Sequence, residues 1–136
     1  MYGRGYLEKM VLVGCILFPT ASVSAETTGR AFTASISSTG KIIKQSPEWI
    51  ANVHYGVQPG YFAEYKIAFK PGLFQRAPGY CNATQIDFES YEDVFYGAVR
   101  LGGSATNRHV NVLSHKANPN NSQAHPAQSF MLICVE

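Results

Sequence analysis

Residues able to do chemistry are thinly spread in this sequence. The densest group is the segment D-F-E-S-Y-E-D, which brings Asp87, Glu89, Glu92 and Asp93 close together along the chain. Neighbouring carboxylates of this kind serve either in a calcium shell or as the acid and base of a glycosidase. A calcium loop needs about six to eight oxygens and a central glycine for its sharp turn, and no such spacing is present. The segment therefore reads as a solvated acidic loop. The four histidines, His54, His109, His115 and His125, form neither a tight pair nor an H-E-x-x-H arrangement. They read as surface or hydrogen-bonded side chains rather than zinc ligands, and no metal is expected. There is no G-x-S-x-G elbow, no phosphate-cradling loop and no dinucleotide glycine pattern. No catalytic residue and no cofactor is assigned on this basis. A binding or adhesion module is favoured over the two alternatives, a small secreted hydrolase and a structural accessory subunit of an extracellular assembly.

The chemistry that remains is recognition. The stretch H-K-A-N-P-N-N-S-Q-A-H-P-A-Q, from His115 to Gln128, exceeds an ordinary strand connection, and loops of that length are functional or disordered. Its candidate ligand-binding residues are Asn118, Asn120, Asn121, Gln123 and His125, with Ser122 and Gln128 adding further polar groups. Uncharged donors and acceptors suit sugar hydroxyls, and an exposed tyrosine, Tyr55, Tyr61 or Tyr91, would supply a stacking face. The plain alternative is a polar connector rich in Pro and Asn. The partner expected is a protein or glycan on a cell surface.

Charge and cysteine content narrow the setting. The chain carries 11 Lys+Arg against 9 Asp+Glu, and the basic residues are scattered, so a nucleic-acid surface is not indicated. Met1 to Ala25 reads as an export signal: Arg4 and Lys9 form the positive start, Met10 to Phe18 the apolar run, and Val23-Ser24-Ala25 the small-residue cleavage site. The apolar run is about half the length a membrane span requires. Leu12-Val13-Gly14-Cys15 resembles a lipobox whose cysteine would be lipidated, but the apolar run before Cys15 is very short and continues past it. Residues 26–136 are then a single domain holding two cysteines, Cys81 and Cys134, which most simply pair in an oxidising compartment. The protein is expected to be secreted or periplasmic.

The elements that must position these residues are short strands. In Y-F-A-E-Y-K-I-A-F, Tyr61, Ala63, Tyr65, Ile67 and Phe69 alternate with Glu64 and Lys66, the two-residue period of a half-buried strand, which Pro71-Gly72 ends. Ala31 to Ser37 alternates likewise, and Lys41 to Gln45 is expected to pair back on it as a hairpin that Ser46-Pro47 breaks. Trp49, Ala51, Val53 and Tyr55 alternate against Asn52 and His54, and Gln58-Pro59-Gly60 turns the chain. A mixed stretch to Phe88, a run from Val94 to Leu101 and a strand from Arg108 to Ser114 follow. The last run, Ser129 to Val135, is apolar on both faces, as in a central strand. No helical period appears beyond the signal, and the chain is predicted to be all-β, an antiparallel β-sandwich or jelly roll of seven or eight short strands. Its predicted core is Trp49, Tyr65, Ile67, Phe69, Phe74, Val110, Val112, Phe130 and Leu132.

One pattern runs through a large part of residues 26–136: Trp49-Ile50, Gly60-Tyr61, Tyr65, Ile67, Phe69, Pro71-Gly72, Phe74, Pro78, Cys81, Phe130 and Cys134. It resembles the disulfide-containing β-sandwich modules of bacterial secreted proteins and phage tail-fibre tips, and distantly the H-type lectin pattern of a strand ending in Phe followed by Phe and Pro. The resemblance implies a surface-exposed recognition domain, glycan-binding and assembled as a homo-oligomer. The chain departs from the pattern in having no Gly after Cys134 and in the two extra residues Gly79 and Tyr80. The matching residues are core and turn residues, which specify fold rather than function, and the resemblance carries over no binding residue.

Overall fold

The computed structural model describes residues 29–87, 95–117 and 125–136. These form eight strands: β1 Ala31–Ile36, β2 Ile42–Ser46, β3 Ile50–Gln58, β4 Phe62–Phe69, β5 Tyr80–Gln85, β6 Gly97–Leu101, β7 His109–Lys116 and β8 Phe130–Val135. They make two antiparallel four-stranded sheets, β2-β1-β8-β5 and β3-β4-β7-β6, whose inner faces share one hydrophobic core. The all-β sandwich predicted from the two-residue period is the observed architecture. Among the described residues only Phe95 and Tyr96 are helical, and no helix is long and apolar enough to cross a membrane. Residues 1–25, read above as an export signal, lie outside the described residues.

Alternation builds the core. On β4, Ala63, Tyr65 and Ile67 are fully buried, Phe69 is nearly so, and Glu64 and Lys66 are exposed. Register then sets Tyr65 against Val112 and Ile67 against Val110 on β7. In the other sheet, Phe32, Ala34 and Ile36 of β1 face inward, paired with Cys134, Leu132 and Phe130 of β8. All nine predicted core residues are buried. Trp49 ties the two sheets together: its indole Nε1 donates to Thr33 O of β1 at 2.9 Å, and its ring stacks on Phe69 at 5.4 Å. Gln45 Oε1 accepts from the backbone N–H of Trp49 and of Ile50, at 3.0 and 2.9 Å, and so fixes the crossover between sheets. The predicted β1–β2 hairpin is present, and Cys81 and Cys134 are bonded directly across the β5–β8 register with Cα atoms 4.1 Å apart.

Four expectations are corrected. A bulge between Ile50 and Asn52 makes Ala51 an extra residue on β3, so Trp49 and Ile50 are both buried while Ala51 is exposed. Tyr61 does not join the inward row of β4; it sits on the preceding turn and is 70% exposed. Tyr55 is no free stacking face, because it is half-buried with its ring 5.2 Å from that of Tyr65. Lastly, β8 is central in its sheet, yet among the described residues only its inner face is covered. Met131 and Ile133 stand on the outer face at 53% and 37% exposure, beside Tyr80 of β5.

Candidate functional site

Strand β4 begins and ends at turns of the same chemistry. At its start, Tyr61 N donates to Gln58 O at 3.0 Å, with Pro59 and then Gly60 at φ 71° between them. Proline followed by a residue with positive φ is the signature of a type II turn, and glycine takes that φ without steric cost. The turn delivers Tyr61 outward, where its ring meets Phe62 edge-on at 5.0 Å.

Beside this turn the ends of β6 and β7 complete a cleft. Register pairs Ala98 with His115 and Arg100 with Leu113. Tyr61, Phe62, Arg100, Leu113, His115 and Lys116 line a cleft of about 600 Å³. That volume lies within the range of about 300–1,000 Å³ typical of small-ligand sites. The cleft offers an exposed aromatic ring, an apolar side chain, an imidazole and the guanidinium of Arg100, which has no hydrogen bond or ion pair among the described residues. Phe95 and Tyr96 are exposed at the same end of the sandwich, where Tyr96 O accepts from Ala117 N at 2.9 Å.

The long loop springs from this cleft. His115 lines it, and His125 is exposed with its Nδ1 accepting from Ala127 N at 3.3 Å. The other predicted ligand residues, Asn118, Asn120, Asn121 and Gln123, lie outside the described residues, as do Ser122, Tyr91, Glu89, Glu92 and Asp93. Gln128 is a correction: it is fully buried, and its amide Nε2 donates to His115 O at 2.6 Å. It closes the root of the loop instead of presenting its amide to a ligand. Ser114 Oγ donates to Pro126 O at 2.8 Å across the same root. The Tyr65 hydroxyl is placed between Ser38 O at 2.8 Å and Gln128 O at 3.2 Å. Burial pushes the Tyr65 hydroxyl up to about 12, with the nearby Tyr55 adding to the rise and hydrogen bonds to Ser114 and the Gln128 backbone opposing it. The amide-rich loop is thus carried on a buried, hydrogen-bonded base.

Elsewhere the predicted chemistry stays dispersed. His54 pairs with Lys66 in register, and His109 Nδ1 lies 3.2 Å from Thr106 Oγ1. Among the described residues no group of three His, Cys, Asp or Glu side chains is disposed to hold a metal ion. Phe62, Arg100 and Leu113 were not singled out from the sequence. Their signal was weak, a polar or apolar residue at an outward strand position, and only the pairing of β6 with β7 brings Arg100 beside the end of β4.

Comparison of the chain with protein-family models, with curated proteins and with solved structures returns no match.

Proposed function

We propose that the protein is an exported recognition module that binds a cell-surface glycan at the loop end of its sandwich. The observation that carries this reading is the exposed ring of Tyr61, held on a type II turn over a cleft that opens at the root of the amide-rich loop. A rigid ring supplies contact area at low entropic cost and matches the apolar face of a sugar, while amides and hydroxyls orient it. The residues in named roles are Tyr61 for stacking, Arg100 and His115 for polar contact, and Asn118, Asn120, Asn121, Gln123 and His125 for hydroxyl recognition. The Cys81–Cys134 bond is compatible with an oxidising compartment and supports export.

A glycan array probed with the chain from Glu26 onward is the test. Binding should fall about tenfold on Tyr61→Ala, equivalent to losing one stacking contact, while the melting temperature holds. Asn120→Ala with Asn121→Ala should alter selectivity among the sugars bound. Undiminished binding by both variants would move the site off this end, and turnover of a glycan would favour the hydrolase.

The outer face of the β2-β1-β8-β5 sheet favours a second reading, a subunit seated in a larger assembly. Met131, Ile133 and Tyr80 are exposed there among Thr33, Ser35, Asn82 and Thr84. Apolar side chains on the open face of a central strand mark contact surfaces when they are contiguous. Sedimentation over a concentration series, with Met131→Lys as control, separates this reading from a monomeric binder.

A further inference from the structure

The opposite end of the sandwich holds a second cleft, of about 600 Å³, between two turns. One wall is the turn that ends β4: Leu73 N donates to Lys70 O at 3.2 Å around Pro71 and Gly72, the latter at φ 74°. The other precedes β7, where Thr106 Oγ1 accepts from the backbone N–H of Arg108 at 3.1 Å and of His109 at 3.0 Å, and Thr106 N donates to His109 O at 2.9 Å. The walls are joined, because Phe69 N donates to Arg108 O at 2.8 Å. The floor is Phe74, only 3% exposed, which meets Phe32 and Phe69 edge-on at 4.9 and 5.0 Å.

The charged groups over this floor share one sign. Lys70, Arg108, Asn107 and Gln75 line the cleft, and among the described residues no carboxylate lines it. The described carboxylate on this rim is Glu48, whose Oε2 sits 3.2 Å from Lys70 Nζ, both side chains being exposed. The Arg108 guanidinium has no hydrogen bond or ion pair among the described residues, although the turn beneath it is locked by hydrogen bonds. A guanidinium presented on a rigid turn is suited to bidentate binding of an oxyanion, and little of its backbone freedom is left to lose. The apolar floor and the two amides ask for more than a bare ion: a ring-sized body with hydroxyls.

We propose that this cleft binds an acidic saccharide, with Arg108 and Lys70 holding its sulfate or carboxylate group and Gln75 and Asn107 meeting its hydroxyls. The site is about eight strand residues, on the order of 25 Å, from the Tyr61 cleft, and it stands or falls independently of the reading of that end.

Titration of the folded chain followed by amide NMR is the test, with glucose 6-sulfate, glucuronate, neutral glucose and inorganic sulfate as probes. The expected result is saturable shifts at Gly72, Gln75, Asn107 and Arg108 with the two acidic sugars and none that saturate with glucose. Arg108→Gln should weaken that binding by about tenfold or more without changing the fold. Arg100→Gln and Tyr61→Ala, at the other end, should leave it unchanged. Lys70→Gln serves as the second variant and should weaken it less, since Lys70 also meets Glu48. Shifts spread over all basic residues, or unchanged affinity in Arg108→Gln, would overturn the proposal. Inorganic sulfate binding as tightly as the sugar sulfate would overturn its saccharide part.

Discussion

Tyr65 concentrates the energetics of the loop end in one side chain. Its ring fills the core against Phe130 at 4.9 Å, and its hydroxyl reaches the carbonyls of Ser38 and Gln128, which belong to two different connections. Tyr65→Phe should keep the packing but leave those carbonyls without this donor, a loss of about 1–2 kcal/mol measurable by denaturant unfolding. The same hydroxyl sets an alkaline limit. An unfolded tyrosine titrates near about 10, whereas burial pushes Tyr65 up to about 12, so between these values the unfolded chain has released a proton that the folded chain still holds. The contribution of this group to stability is therefore complete below about pH 10 and is lost as the pH rises toward 12. The Tyr65→Phe variant should lose most of this slope, with Tyr55, also raised by burial, accounting for a smaller remainder.

At the scale of the element, β4 and β8 hold the molecule in register. β4 is bracketed by Pro59-Gly60 and Pro71-Gly72, so both clefts are set by turns on one strand. Gly72 at φ 74° has open space around a would-be Cβ, and the cost of Gly72→Ala is then one of backbone conformation alone, about 1–2 kcal/mol. Chemical denaturation should show that loss, and the NMR titration at Arg108 should weaken with it. β8 is joined to β5 by Cys81–Cys134, which are 53 residues apart in sequence. Closing a loop of that length contributes about 4 kcal/mol in the chain-entropy picture, a large share of the roughly 5–15 kcal/mol that holds a small domain together. Reduction under native conditions should lower the denaturation midpoint accordingly, and non-reducing peptide mapping should recover the bonded pair.

For the whole molecule, the ends and the open faces of the sandwich differ in chemistry. The two ends of the sandwich carry the clefts, and the open faces of the sheets differ from each other. The face of the β3-β4-β7-β6 sheet presents His54, Glu64, Lys66 and Arg100, whereas the other presents Met131, Ile133 and Tyr80. Export is the prediction that belongs to this scale. N-terminal sequencing of material from the expressing cell's exterior or periplasm should begin near Glu26; a chain retaining Met1, or one beginning at a lipidated Cys15, would refute it.

Much of this architecture was legible beforehand, for a physical reason. A strand with one buried face must alternate, so β1, β4 and β7 and their inward residues could be read directly, as could the hairpin ended by Ser46-Pro47 and the pairing of the two cysteines of residues 26–136. Local alternation is silent on what lies opposite. The bulge at Ala51 reverses the face of a strand by one residue, and it arises from how β3 pairs with β4 rather than from any turn residue. Gln128 looked like a ligand amide because its neighbours in sequence are polar; in the fold it is buried, and its Nε2 donates to His115 O on β7 of the opposite sheet, a partner that only the tertiary structure supplies. The outer face of β8 is apolar in sequence, but that it lies open depends on nothing in the described fold covering it. Both clefts, likewise, bring together residues far apart along the chain, Tyr61 with Arg100 and Lys70 with Arg108. The sequence determined the period, the turns and the staple, while the sites were decided by register and by the closing of the two sheets.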